Sequence, residues 1–301
     1  MATGLINRCE NVMVGHAAAD HCRPPTHLAL LLSESLCELK RFDASDVMSR
    51  YMYLYHTKQC FMGEAASLVY EELKAILKKL PEKPKVKDFK FTKDEIEKAS
   101  RSADRSLHGL SAGCNPAQRS FPLAYCPRIN DEDLFKISCE EARLTHFNEL
   151  AGQVAGLTNL ICRRLFKGDE WNDAIKNAFS AVPNPHGEIQ EIQRRYQSDH
   201  ILNPQATPSY APNTLHTALY CVTQTTSFED AVNLANEIES NHCPTLVGIL
   251  AGARWVVPES MLTDSQPATL KAIRIVAKRF NDKWNKINAA NQDSSSKKKP
   301  S

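Results

Sequence analysis

The stretch Ser227–Met261, SFEDAVNLANEIESNHCPTLVGILAGARWVVPESM, decides how this chain folds. Ser227 suits a helix N-cap, Glu229 and Asp230 load the first turn, and Ala231, Leu234, Ala235 and Ile238 recur at helical spacing. A polar corner, Glu239-Ser240-Asn241-His242, interrupts the pattern before a second helix begins. In that second helix Gly248, Ala251, Gly252 and Ala253 make a small-residue ridge, against which a neighbouring backbone can lie closely, and Pro258 marks the stop. A buried corner between two helices must satisfy its backbone polar groups, and Glu239, Asn241 and His242 supply side chains for that.

Working outward, the same period recurs along the chain. Thr26 to Phe42 carries a stripe of Leu28, Leu31, Leu32, Leu36 and Leu39, and Asp43 caps a helix over Val47 to Tyr55. Gly63 to Leu80 is amphipathic and ends at Pro81. The lysine-rich segment 81–91 reads as a solvated connector, and Thr92 with Glu95 makes a capping box for the next helix. Gly109 to Asn130 breaks the rhythm with glycine and prolines, a preferred kind of place for binding residues. Helical patterns resume at Glu132, at Leu150 to Phe166, at Trp171 to Phe179 behind a Gly168-Asp169 stop and cap, at Glu188 to Tyr196 and at Thr214 to Thr223. Asn203 to Asn213 reads as a proline-rich loop, and Pro267 to Ile287 as a last long helix. No alternating strand pattern stands out, so the expectation is an all-α, compact multi-helix domain over 1–288, followed by a disordered polar tail over 289–301.

Composition narrows function little. A chain of 301 residues with 42% hydrophobic and 24% charged residues is ordinary for a globular protein. The net charge of +2 gives no reason to expect nucleic acid or membrane as a partner. Ten cysteines lie scattered without a CxxC, and no signal peptide is evident, which points to free thiols and a cytoplasmic location. His16, His21, Cys22, His242 and Cys243 do not have the spacing of a structural zinc site.

The corner and the helix after it resemble the C-terminal signature of the ADP-ribosylglycohydrolase family, Gly-Gly-Asp-Thr-Asp-Thr followed by Gly-Ala-x-x-Gly-Ala and a proline. Aligned on Gly248, Gly252, Ala253 and Pro258, Glu239 and Asn241 fall on the two aspartates that hold a magnesium pair in that family, and His242 falls on the threonine. The loop Gly113 to Leu123 resembles the family's phosphate- and ribose-contacting loop through Gly113, Ala117, Arg119, Pro122 and Leu123, although Cys114 and Pro116 depart from it. Ala142-Arg143-Leu144-Thr145-His146 resembles an Ala-Arg-x-Thr-His junction, and the residue types alone favour a helix cap with a satisfied histidine. The opening Gly15-His16-Ala17-Ala18-Ala19-Asp20 resembles the family's first block, with Asp20 on its aspartate.

Here the chain departs from the pattern. Where active hydrolases carry Thr-Asp-Asp-Thr before a leucine-rich helix, this sequence has Pro24 and Pro25 ahead of Thr26, or lacks the segment altogether. A magnesium pair needs several anionic oxygens, and Glu239 with Asp20 would remain as vestiges. The opening block and Asn241-His242-Cys243 resemble most the subgroup containing the J-type lens crystallins of jellyfish. The resemblance therefore implies a structural, crystallin-like eye-lens protein with a degenerate magnesium site and no cofactor. The alternative is a weakly active glycohydrolase, with magnesium, or an ADP-ribose-binding protein. It implies substrate contacts at Asn115, Arg119, Thr145 and His146, vestigial metal ligands at Asp20, Glu239 and Asn241, and scope for self-association at high concentration.

Overall fold

The computed structural model describes residues 2–58, 62–77, 80–197, 209–262 and 266–296. Among these there is no strand; one antiparallel bridge pairs Gly113 with Tyr210. The expected elements are present: α2 (Pro24–Leu39), α3 (Ala44–Lys58), α4 (Glu64–Ile76), α5 (Lys93–Ser106), α8 (Asp131–Ala142), α9 (Glu149–Lys167), α10 (Trp171–Ser180), α11 (Gly187–Gln197), α12 (Ala211–Gln224), α13 (Phe228–Ile238), α14 (Cys243–Arg254) and α15 (Pro267–Ser296). The proline-rich interruption contributes two short turns, α6 (Asn115–Arg119) and α7 (Pro122–Tyr125).

Capping chemistry sets several of these boundaries. Asp43 Oδ1 accepts from the Asp46 N–H at 3.2 Å, and Ser227 Oγ accepts from the Asp230 N–H at 3.1 Å. Thr92 and Glu95 form the reciprocal box before α5. Gly168 closes α9 in the left-handed conformation, φ 103°, but Asp169 does not cap α10; Glu170 stands at that position without a side-chain cap bond.

One element has no periodic signature. The first helix, α1 (Ala2–Asp20), is buried at every position from Val12 to Asp20, so it has no polar face there to reveal a period. It runs against α14, and the small-residue ridge makes the approach close. A Cβ on Gly248 would stand 2.5 Å from Ala19 Cβ and 2.6 Å from the Gly15 carbonyl oxygen; one on Gly252 would stand 2.8 Å from the Asn11 oxygen. The neighbour expected from Gly248 and Gly252 is thus α1, whose Gly15 answers them.

The buried apolar side chains form one cluster reaching from Cys9 to Phe280. The segment 81–91 belongs to it, which corrects its reading as a solvated connector: Phe89 and Phe91 are buried, while Lys83, Lys85, Lys87 and Lys90 point outward. Its lysines mask two apolar anchors, one of which stacks near Tyr53 and His56. At the other end, the backbone stays helical to Ser296 where disorder was expected from 289. Helix propagation adds one hydrogen bond per residue fixed, so a long helix extends into a polar stretch that could not start one. Residues 297–301 of that tail lie outside the described residues, as do 203–208 of the proline-rich loop.

Candidate functional site

A cleft of about 420 Å³ opens where helix ends converge. The turn after α1 brings Asp20 and Arg23; α2 begins at Pro24 and Pro25; α4 begins beside Gly63; the 107–118 loop adds Ser111, Asn115 and Gln118; and α14 begins beside Asn241 and His242. Glu64, His146, Ser209 and Thr245 add to the polar lining, and Met62, Leu107 and Leu110 to the apolar part. Of the residues singled out in the sequence, Asp20, Asn115, His146 and Asn241 reach this cleft, while Arg119, Thr145 and Glu239 do not line it.

Arg119 lies fully buried behind the cleft. Its Nε donates to Glu141 Oε1 at 2.7 Å, and Nη2 reaches both Glu141 Oε2 and the Glu141 carbonyl at 3.3 Å. Nη1 donates to Asn115 Oδ1. The guanidinium sits 5.2 Å from the centre of the Tyr51 ring, whose hydroxyl donates to the same Glu141 oxygen at 2.8 Å. Burial alone would lower the Arg119 pKa, but Glu141 beside it, with Tyr51, more than compensates and holds the pKa above its ordinary value. Glu141 was missed in the sequence, although its position on the buried stripe Leu134, Ser138, Glu141 gave the signal. A carboxylate on an apolar stripe requires a cation opposite.

Thr145 and His146 follow α8 rather than starting α9, and Asn148 is the cap of α9, accepting from the Leu150 N–H at 3.0 Å. The histidine is satisfied on one side by Thr145, Oγ1 to Nδ1 2.8 Å. Burial and the nearby Arg119 charge lower its pKa to about 3, so it is neutral at physiological pH. Its Nε2 lies 3.0 Å from where a Cβ on Gly113 would be, which explains the glycine there.

The two carboxylates proposed as metal ligands are both occupied with helix starts. Prolines at the first two positions of α2 remove two N–H donors, and the next donor, the Thr26 N–H, is shared between the Arg23 carbonyl and Asp20 Oδ2, each at 3.0 Å. Thr26 Oγ1 donates to the same oxygen at 2.6 Å, Thr245 Oγ1 donates to Oδ1 at 3.0 Å, and Arg23 Nε lies 3.8 Å from Oδ1. At the polar corner, Glu239 accepts from the N–H groups of Asn241 at 2.8 Å, His242 at 2.8 Å and Cys243 at 2.9 Å. The corner itself is not buried: Ser240 and Asn241 are exposed. The Gln118 side-chain amide donates to the His242 carbonyl at 2.7 Å and ties it to the loop.

Magnesium fits these residues poorly. No group of three or more His, Cys, Asp or Glu side chains among the described residues could hold a metal ion, and the histidine-cysteine zinc spacing likewise does not assemble. Cys243 is buried, and its thiol pKa is held well above the ordinary value by hydrogen bonding with Cys221 and by burial, so it is not a ready nucleophile.

The fold carrying this cleft has relatives. The family model described as ADP-ribosylglycohydrolase matches residues 6–287. The chain belongs to that family. A solved structure titled "ADP-ribosylglycohydrolase-related protein complex" is similar at a TM-score of 0.68 and 21% identity, over 92% of this chain and 98% of that one. At that identity the likeness speaks for the fold, and no curated protein matches the chain. Among the described residues no helix is long and apolar enough to cross a membrane.

Proposed function

We propose that this family member is a structural, crystallin-like protein that does not hydrolyse ADP-ribosyl bonds. The observation that carries the reading is the engagement of Asp20 and Glu239: the carboxylates that would have to meet a cation each accept hydrogen bonds at a helix start. Withdrawing them toward a metal would take an acceptor from the His242 and Cys243 N–H groups and from the Thr26 and Thr245 hydroxyls, at roughly 1–3 kcal/mol for each buried group left unpaired. The resemblance of the opening block and of Asn241-His242-Cys243 to the jellyfish J-type lens crystallins adds the structural role, and the scattered cysteines support a cytoplasmic location. Such a role asks for a packed core and a surface without large apolar patches. The decisive assay incubates the full chain with magnesium and an ADP-ribosylated arginine or serine substrate. No release of ADP-ribose is expected; turnover that disappears in Glu239→Gln would sink the proposal.

A second reading, ligand binding without hydrolysis, is favoured by the cleft itself. Its volume is in the range of small-molecule sites, and its lining combines polar and apolar side chains. ADP-ribose, the ligand chemistry of the family, is the first probe, and calorimetry is the measurement.

A further inference from the structure

We infer that the cleft is built for an uncharged, flat ligand with hydrogen-bonding edges, such as a nucleoside, and discriminates against the diphosphate that the family name suggests; this rests on the ligand-binding reading above. Anion recognition in a protein relies on free cations, on helix N-termini, or on a metal. The cleft offers little of each. Arg119 is sealed beneath it against Glu141, and among the described residues Arg23 is the only lysine or arginine in its lining. Arg23 donates from Nε to the Asp20 carbonyl at 2.9 Å and stands beside the Asp20 carboxylate. Against this one cation the lining sets two carboxylates, Asp20 and Glu64. Segments 59–61 and 198–208, which flank lining residues in the chain, contain no lysine or arginine.

The helix N-termini are no freer. Glu64 stands in the first turn of α4 and offsets its positive end, and Glu239 covers the N–H groups that begin α14. His146 is neutral, so it adds no positive charge. A diphosphate entering here would lose its hydration and meet a net negative wall.

What the cleft does offer is directional and neutral. Asn115 has its Oδ1 occupied by Arg119, which leaves its amide N–H to donate; Gln118 has its Nε2 occupied by the His242 carbonyl, which leaves its oxygen to accept. A donor and an acceptor together are what the edge of a heterocycle or amide pairs with. Pro24, Met62, Leu107 and Leu110 supply apolar lining, and the last is 82% exposed.

Calorimetry on the full chain, with adenosine and ADP-ribose as probes at low salt, tests the inference. Adenosine is expected to bind at least as tightly as ADP-ribose. Glu64→Gln, at an exposed position that should not disturb folding, is expected to raise ADP-ribose affinity roughly fivefold while leaving adenosine unchanged. Leu110→Ser should weaken adenosine and so place it in the cleft. ADP-ribose binding tenfold tighter than adenosine would overturn the inference, as would the absence of adenosine binding up to its solubility. Either result leaves the non-hydrolysing reading standing, whereas release of ADP-ribose from a modified substrate would overturn that reading and leave the inference intact.

Discussion

Arg119 shows how a side chain can be recognisable in a sequence while its partners are not. Its place in the loop from Gly113 to Leu123 suggests phosphate contact, but which way an arginine turns depends on whether an acid waits beneath it, and Glu141 is 22 residues further on. Breaking the pair should therefore cost stability rather than affinity. Arg119→Met leaves a buried carboxylate without its cation, a loss of about 3–5 kcal/mol. Arg119→Met combined with Glu141→Leu should recover a large part of it, because no charge is then stranded. Chemical denaturation of the three proteins checks this, and a single variant as stable as the parent would show that the pair carries no such weight. Asp20 and Glu239 teach the same lesson from the acid side. Both positions were legible as polar and special; what they bond to was not, since prolines at 24 and 25 alter the donors available to Asp20 only once α2 is wound.

Among elements, α14 was the most readable and α1 the least. The ridge of Gly248 and Gly252 announces a close neighbour, and the packing of α1 on it follows from the same geometry. A helix buried all round leaves no alternation of polar and apolar residues for the eye to find, which is why the opening block resembled a site before it resembled a helix. Gly248→Ala is expected to destabilise the protein by about 1–3 kcal/mol, since the added methyl meets both Ala19 Cβ and the Gly15 carbonyl. Ala19→Gly in the same chain should relieve this only in part, because the Gly15 carbonyl is backbone and stays in place. Thermal unfolding of the single and double variants distinguishes the outcomes; a neutral Gly248→Ala would mean that α1 yields easily. The loop between α5 and α8 was legible as an interruption, yet its anchorage was not. Arg163 of α9 gathers the carbonyls of Leu123, Ala124, Cys126 and Ile129, a convergence that no local pattern encodes.

For the molecule as a whole, acid should be the weakness. Burial lowers the His16 pKa to about 4, against partial compensation from Asp20, and that of His146 to about 3. The unfolded chain holds both near 6.5. Between these limits the unfolded state binds more protons, so the contribution is fully present above pH 6.5 and is lost as pH falls toward 4. Each imidazole should contribute a slope of about 1.4 kcal/mol per pH unit once its unfolded counterpart is protonated. Denaturant titrations at pH 7.5, 6 and 5 should show stability declining with acidity, and His146→Gln should flatten the decline. A stability that does not change over that range would contradict the burial of both rings.

The start of α2 has a consequence for descent. Aspartates placed at 24 and 25 would add two backbone donors where Pro24 and Pro25 now present none, and a cation drawing on Asp20 would take away the acceptor of the Thr26 hydroxyl. Any change toward a metal-binding corner thus opens a new deficit at the helix start before an ion is gained, and the scaffold itself resists it.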